Sequence, residues 1–390
     1  VHHQEDEVRA ALAGQGVGFA RQEAPRGTGD AVASALGKLP PDGVVVVLCG
    51  DGPLIRAETL TALLDAHGPS GKGALVTVMT VTLDEPGAYG RLVRDPDGQP
   101  LAIVEASEAT ADQLAIQEVN SGIYAIDLAW LRSVVPGLAP HPPKGEIYLT
   151  DVVGLAADAD RVAALVHDDE REIRGVNDRF QLAQATRILQ DRLLQAHLEA
   201  GVGMEDPASV TIEPGVTLDR DVFLERGVVL RGTTTVGEGV EIEAHTVVIN
   251  STLAPRCRVR SHSHLESATV GTGAIVGPYA RLRPAAVVGP DCRVGNFVEI
   301  KKSTLAAGAK VNHLSYVGDA TVGAKANVGA GTITCNYDGF GKHHTSIGAG
   351  AFIGSNSALV APVTIGDGAI VGAGSVVVRD VAPDALAVAR

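Results

Sequence analysis

A chain of 390 residues is long enough for two or three domains with separate cores. Its net charge of −14 excludes the broad basic face that nucleic acids require, so an anionic substrate would have to be met by a local cluster of Lys and Arg. The four cysteines (Cys49, Cys257, Cys292, Cys335) form no CxxC pair, no apolar run reaches 18 residues and no signal-peptide core is present, so free thiols in a cytoplasmic protein without a membrane span are expected.

Residues 1–178 alternate predicted strands and helices, the pattern of an α/β domain with a largely parallel sheet. Within it, Gly27-Thr28-Gly29-Asp30-Ala31 could form a glycine-rich loop close to a ligand, although it has neither GxGxxG nor Walker spacing. The run Val44-Val45-Val46-Val47-Leu48 predicts a strand buried on both faces, and residues 74–82 predict another. Asp51 follows the first run and Cys49-Gly50 directly. A carboxylate beyond the end of a strand suits Mg²⁺, and it suits plain turn chemistry equally well. Residues 179–204 read as a linker, helical to about residue 200 and ended by Gly201 and Gly203.

From residue 205 to 390 an aliphatic residue returns every sixth position, as in Ile212, Leu218, Leu224, Leu230, Val236, Ile242 and Val248. Neither an α-helix nor an ordinary strand has that period; a parallel β-solenoid of hexapeptide repeats does. Three such sides make an 18-residue coil, and the region holds roughly ten coils. Glycine often follows the inward aliphatic, as in Val270-Gly271 and Val294-Gly295, and is expected to turn the corners. The phase shortens to five between Ile300 and Leu305 and between Val317 and Val322, and residues 334–346 cannot form a side at all. Such breaks map to loops, where function is often carried, and here they would bracket a site.

Residues 18 apart stack on neighbouring coils. Arg283 and Lys301 have that spacing, and two stacked cations are unfavourable unless an anion lies between them. A phosphate clamp is one reading and a solvated basic face, with Arg281 and Lys302 nearby, is the other. His313 falls on a different side of the prism from Lys301; it is either structural or a general base near neutral pH. Sides that face apart in one chain can meet across a subunit boundary. His262 and His264 would not converge with His313 as a metal site, since alternate residues point in opposite directions.

These pieces resemble the bacterial bifunctional glucosamine-1-phosphate N-acetyltransferase / N-acetylglucosamine-1-phosphate uridylyltransferases. The motifs are GTGDA (27–31), CGDGPL (49–54), GAYGRLVR (87–94), IVEASEAT (103–110), QEVNSGIY (117–124), EIYLTD (146–151) and GVNDR (175–179). In the solenoid they are ARLRP (280–284), VGNFVEIKKS (294–303), NHLSYVGDA (312–320) and NVGAGTITCNYDG (327–339). The resemblance implies a Rossmann-like nucleotidyltransferase domain, incomplete here, followed by a left-handed parallel β-helix, assembled as a homotrimer.

In the solenoid it implies acetylation of glucosamine 1-phosphate by acetyl-CoA. His313 would be the base and Glu299 would orient it, while Arg283, Lys301, Tyr316, Asn327 and Lys342 would hold the sugar phosphate. Asn336 and Tyr337 would sit beside the reacting groups, and Ser355, Ala373 and Arg390 would line the acetyl-CoA groove. In the α/β half it implies uridylyl transfer from UTP to N-acetylglucosamine 1-phosphate, giving a cell-wall and lipopolysaccharide precursor. Asp51 and Asn177 would hold Mg²⁺, Gln22, Gly27 and Thr28 would contact uridine, and Gly90, Glu105, Asn120 and Thr150 would contact the sugar.

The family opens with a strand and a glycine-rich LxAAGxGTRM segment that cradles the nucleotide phosphates, and it closes with a short tail. The sequence from Val1 to Arg390 contains neither, and little uridylyl transfer is expected from the polypeptide as written. Two alternatives stand beside this reading. One is a nucleotidyltransferase for another sugar phosphate with the solenoid as a platform; the other is a non-catalytic trimeric scaffold.

Overall fold

The structure, a computed structural model, describes residues 1–388, so Arg390 lies outside the described residues. The chain forms two compact units, Val1–Thr186 and Arg187–Arg390. No helix among the described residues is long and apolar enough to cross a membrane.

In the first unit, β1 (Val44–Val47), β2 (Val76–Thr82), β3 (Arg91–Arg94), β4 (Pro100–Val104), β5 (Glu118–Asp127) and β6 (Val162–Val166) form one sheet ordered β4-β3-β5-β2-β6. β1 shares one edge of β5 with β3. Only β2 and β6 pair in parallel, which corrects the largely parallel sheet expected from the alternation of elements. Alternation fixes the order of strands and helices along the chain, not strand direction, and β5 runs back between β1 and β2. β3 and β4 are a hairpin, its Asp95-Pro96-Asp97-Gly98 turn held by Asp95 Oδ1, which accepts from the Asp97 and Gln99 N–H groups at 2.9 and 2.7 Å.

Helices cover both faces of this sheet. In chain order they are α1 (Glu5–Ala11), α2 (Thr28–Leu36), α3 (Ala57–His67), α4 (Ala111–Leu114), α5 (Leu128–Val134) and α6 (Asp151–Ala157). Leu36, Leu131, Val152 and Val153 pack with Val76, Leu92, Tyr124 and Ile126 on one side, and Leu63 packs with Met79, Val119 and Ile123 on the other. β1 is half-buried along its whole length, not buried on both faces. Among the described residues no strand pairs its outer edge, and a cavity lies against Val45–Leu48.

A helix, α7 (Arg179–Glu199), leads into the solenoid, whose strands stack in three parallel sheets of eleven, ten and nine. The first face runs from Gly203–Met204 to Leu386–Ala387, the second from Thr211–Ile212 to Val376–Val377, and the third from Thr217–Leu218 to Val363–Ile365. Along the second face Ile212, Leu230, Val248, Leu265, Leu282, Ile300 and Val317 are each 0% exposed. Full burial of each such side chain stabilises by about 1.5–3 kcal/mol, and the six-residue repeat exists because every side must contribute one. At the first strand of this face the Gln190 side chain pairs with backbone: its Nε2 donates to Ile212 O at 2.7 Å and its Oε1 accepts from Ile212 N at 3.0 Å.

Two expectations about the coil are corrected. Five-residue steps recur away from the bracketed region, from Val248 to Leu253 and from Leu265 to Val270, where Asn250 and Ser267 turn the corner at φ 47°. Shortening is thus ordinary corner chemistry and marks no site. The glycine after the inward aliphatic is also not the corner residue. At Gly295 a Cβ would lie 1.9 Å from the Asn312 carbonyl oxygen of the next coil, so close backbone approach selects it. The corners themselves are left-handed His, Asn, Asp, Tyr, Phe and Lys residues as often as glycine.

Candidate functional sites

In the α/β unit one cavity of about 670 Å³ brings together Thr28, Asp51, Glu105, Asn120 and Thr150, five residues proposed from sequence. Gly27 caps α2 at φ 99°, and a Cβ there would meet Ile147 O at 2.5 Å, so glycine alone fits. Gln22 is tied to the same helix start, its Nε2 donating to Asp30 Oδ2 at 2.8 Å and to Gly27 O at 3.3 Å. Gly90 receives the Asn120 N–H on its carbonyl at 2.9 Å, and a Cβ on it would press on Ile103 Cγ2 at 2.9 Å. Burial raises the Glu105 carboxyl above the usual range, Glu108 and Asp151 add to the effect, and the Thr150 hydroxyl at 3.4 Å opposes it.

Asp51 and Asn177 meet around Gly175. Val176 N donates to Asp51 O at 2.9 Å, and a Cβ on Gly175 would lie 2.7 Å from Asp51 Oδ2 and 3.8 Å from Asn177 Nδ2. One carboxylate and one amide make a sparse donor set, which fits Mg²⁺, an ion that keeps waters and takes substrate phosphate oxygens. Among the described residues no cluster of three His, Cys, Asp or Glu could hold a metal.

The two loops that bring these groups together are joined by a residue that sequence reasoning missed. Glu172 is fully buried and accepts from Arg56 N at 3.1 Å, from Thr59 Oγ1 at 2.8 Å and from the Arg56 guanidinium. Burial pushes its carboxyl up, but these donors together outweigh that and hold it below the ordinary value. The sequence EREI (170–173) has no marker for this, since a buried glutamate looks like a surface one until its partners are placed.

In the solenoid the register sorts the remaining candidates onto two sides of one corner. That corner is a column of left-handed residues, among them His245, His262, Tyr279, Phe297 and Leu314. The first four rings stack at 5.2, 4.9 and 5.4 Å, and Tyr279, Phe297 and Leu314 are 50%, 57% and 62% exposed.

On the second face, Arg281, Glu299, Tyr316 and Ile333 stand in register. Arg283 N bonds Ile300 O at 2.9 Å, which sets Arg283 beside Lys301. The anion this pair needs is internal: Arg283 Nη1 donates to Glu299 Oε1 at 2.8 Å. The Lys301 carbonyl accepts from Ser303 Oγ and Asp319 N, but among the described residues its side chain has no hydrogen bond or ion pair, so its ammonium is the freer cation. Tyr316 lies over Gly318, and its hydroxyl is 3.4 Å from the Asn336 amide, which also donates to Asp319 at 2.5 Å. Residues 337–343 form a self-braced loop: Lys342 lies 4.2 Å from the Tyr337 ring, and Asp338 takes the Phe340 and Gly341 N–H groups and His343. Those two N–H groups and His343 hold the Asp338 carboxyl well below its usual range.

On the first-face side, one residue before each corner residue, stand Asn296, His313, Ala330, Ser355 and Ala373. Backbone bonds tie them coil to coil: Leu314 N to Asn296 O, Gly331 N to His313 O, Asn356 N to Ala330 O and Gly374 N to Ser355 O, at 2.7–3.2 Å. The predicted base and two predicted coenzyme residues therefore share one file. Asn327 lies on the same face, in register with Lys310 and Phe352. His313 also opens onto a hollow of about 290 Å³ that Arg260, Arg293, Asn296 and Asn312 line.

The expected Glu299–His313 contact is not made within this chain. Glu299 is engaged by Arg283 on the second face, and His313 Nδ1 instead lies 2.9 Å from Asn296 Oδ1. A 17-residue step, visible once the Ile300–Leu305 shortening is counted, would have paired His313 with Asn296 from sequence.

Residues 1–122 match the MobA-like NTP transferase domain, and residues 344–379 match the bacterial transferase hexapeptide family of six repeats. The bifunctional protein GlmU of Trichlorobacter lovleyi is 46% identical over 391 residues, covering 100% of this chain and 85% of that protein. The bifunctional protein GlmU of Burkholderia thailandensis is 46% identical over 387 residues, 99% of this chain and 84% of that one. The structure of LpxA from Acinetobacter baumannii aligns with a TM-score of 0.34 and 15% identity over 48% of this chain and 71% of that one, too remote to bear on function. With matching domains at both ends and 46% identity along its whole length, the chain belongs to the GlmU family of bifunctional acetyl- and uridylyltransferases.

Proposed function

We propose that this chain is a cytoplasmic, Mg²⁺-using homotrimer that acetylates glucosamine 1-phosphate from acetyl-CoA and then uridylylates the N-acetylated product from UTP. The observation that carries the first step is the file His313–Ala330–Ser355–Ala373. At about 4.8 Å per coil it spans roughly 15 Å, a length suited to the extended arm of acetyl-CoA. With the arm along Ser355 and Ala373 the thioester reaches His313. There His313 Nε2 takes a proton from the substrate amine as its nitrogen attacks the thioester carbonyl, the C–S bond breaks, and the proton passes on to the departing thiolate.

Lys301 and Arg283 hold the sugar phosphate, with Glu299 keeping Arg283 extended and Tyr316, Asn336, Tyr337, Asn327 and Lys342 around the sugar and acetyl group. Lys301 and Arg283 stand across the corner from His313, so a complete site takes the base from one copy and the clamp from another, which supports the homotrimer. In the α/β cavity Thr28 would face the nucleotide and Asn120, Glu105 and Thr150 the sugar, with Gly27 next to Thr28 and Gly90 against Glu105 beside the cavity. Asp51 and Asn177 would hold Mg²⁺, which when bound neutralises charge on the transferring phosphate.

The test is acetyl-CoA-dependent acetylation of glucosamine 1-phosphate by His313→Ala. A loss of about 10²–10⁴-fold in kcat is expected, with uridylyl transfer unchanged. Full acetylation by the variant would sink the assignment of the base.

A further inference from the structure

We propose that Asn296 is the positioning residue for His313, setting which of its ring nitrogens is the base. The proposal rests on His313 being that base, but its central contact can be measured whether or not it is. Asn296 and His313 are register partners in the first face, and Asn296 Oδ1 lies 2.9 Å from His313 Nδ1. An amide oxygen only accepts, so Nδ1 carries the proton and the lone pair is left on Nε2.

The strand pairing around this contact is longer than on the neighbouring coils of the same face. Strands Arg293–Asn296 and Lys310–His313 are four residues long, while Ile275–Val276, Asn327–Val328 and Phe352–Ile353 on the same face have two. The added pairing reaches to the corner, where Leu314 N donates to Asn296 O at 3.1 Å. Gly295 lets the two strands close to this distance, since a Cβ there would strike Asn312 O. Both side chains are therefore fixed at the backbone before they meet.

The choice of amide over carboxylate has a chemical consequence. A carboxylate on Nδ1 would favour the imidazolium and take the base out of its reactive form near neutral pH. An amide orients the ring without that charge. The charged groups that share the hollow with His313 are Arg260 and Arg293, so no carboxylate among its lining takes the place of Asn296. Glu299, the nearest carboxylate in the sequence motif, is held by Arg283 across the corner.

The experiment uses the full chain and three variants: Asn296→Leu, Asn296→Asp and His313→Ala. In ¹⁵N-histidine spectra the His313 resonance, identified by its loss in His313→Ala, shows the Nδ1–H tautomer in the wild type and a mixture in Asn296→Leu. In Asn296→Asp the imidazolium persists to higher pH, and the acid limb of kcat/KM moves up by about one pH unit while activity at high pH is retained. Asn296→Leu lowers kcat about 10–100-fold with little change in KM for either substrate. A His313 tautomer and pH profile unmoved by both Asn296 variants would overturn the proposal, and Asn296→Asp keeps it testable should the leucine variant fold poorly. If His313→Ala retained full activity while the tautomer still answered to Asn296, the general-base reading would fail and the contact would stand.

Discussion

The two candidate sites are built by opposite means. In the α/β unit, loops from distant parts of the chain converge, so Thr28, Asp51, Glu105, Asn120 and Thr150 share one cavity within a single copy. In the solenoid every coil repeats the last, so a side chain is confined to its file, and His313 and Lys301 stand on different faces. A fold that converges gathers its candidates within one copy; a fold that translates keeps them on separate faces. Regular geometry gives the solenoid long files suited to an extended coenzyme, and on the proposed function a second copy would close the site.

The sharpest way to break this contrast is complementation. His313→Ala and Lys301→Ala should each be inactive in acetyl transfer, yet their co-refolded mixture should recover about a quarter of wild-type activity, since a random partner supplies the missing group at one interface in four. No recovery would show that base and clamp act within one copy. No such rescue is expected between Asp51→Ala and Thr150→Ala in uridylyl transfer.

A smaller and selective effect is expected from one glycine in each half. Gly295→Ala sets a Cβ against a backbone oxygen at 1.9 Å and should cut acetyl transfer tenfold or more. Gly175→Ala sets one against the Asp51 carboxylate at 2.7 Å and should instead raise the Mg²⁺ requirement of uridylyl transfer. Assaying both reactions on both variants decides it; equal loss of both activities in either variant would mean general unfolding.

The mildest difference is in acid. The α/β unit buries Glu172 and Asp127 and half-buries Glu118, and in each case burial raises the carboxyl but donors, Arg94 and Thr80 for Glu118 among them, outweigh it and lower the value. Carboxyls held below their unfolded values stabilise the fold above about pH 4, and that contribution is lost as pH falls through the folded values. The ionisable groups buried in the solenoid core are thiols; burial pushes Cys257 up to about 12, so acid leaves it unchanged. Calorimetry from pH 6 to 3 should show the α/β transition falling by several degrees as these carboxyls are protonated.

What could be read from the sequence follows from the same contrast. The solenoid was legible because one inward aliphatic per side is a physical requirement, repeated in Leu230, Val248, Leu265 and Leu282. The register was less so. A coil of 17 residues hides inside a hexapeptide pattern, and one residue decides whether His313 faces Gly295 or Asn296. In the α/β half the motif residues of the cavity could be listed, but strand direction could not, because a helix between two strands is compatible with either. Glu172 had no signal at all, its meaning lying in Arg56 and Thr59 more than a hundred positions earlier.

The Gln190 amide at the first strand of the second face has a consequence for the assembled protein. A stack of parallel strands ends in a row of unused donors and acceptors, and each such end is a template on which another solenoid can continue the stack. The side chain of Gln190 offers Ile212 one oxygen and one nitrogen, as a further strand would, and so occupies that template. A single amide thereby blunts this end of the second face.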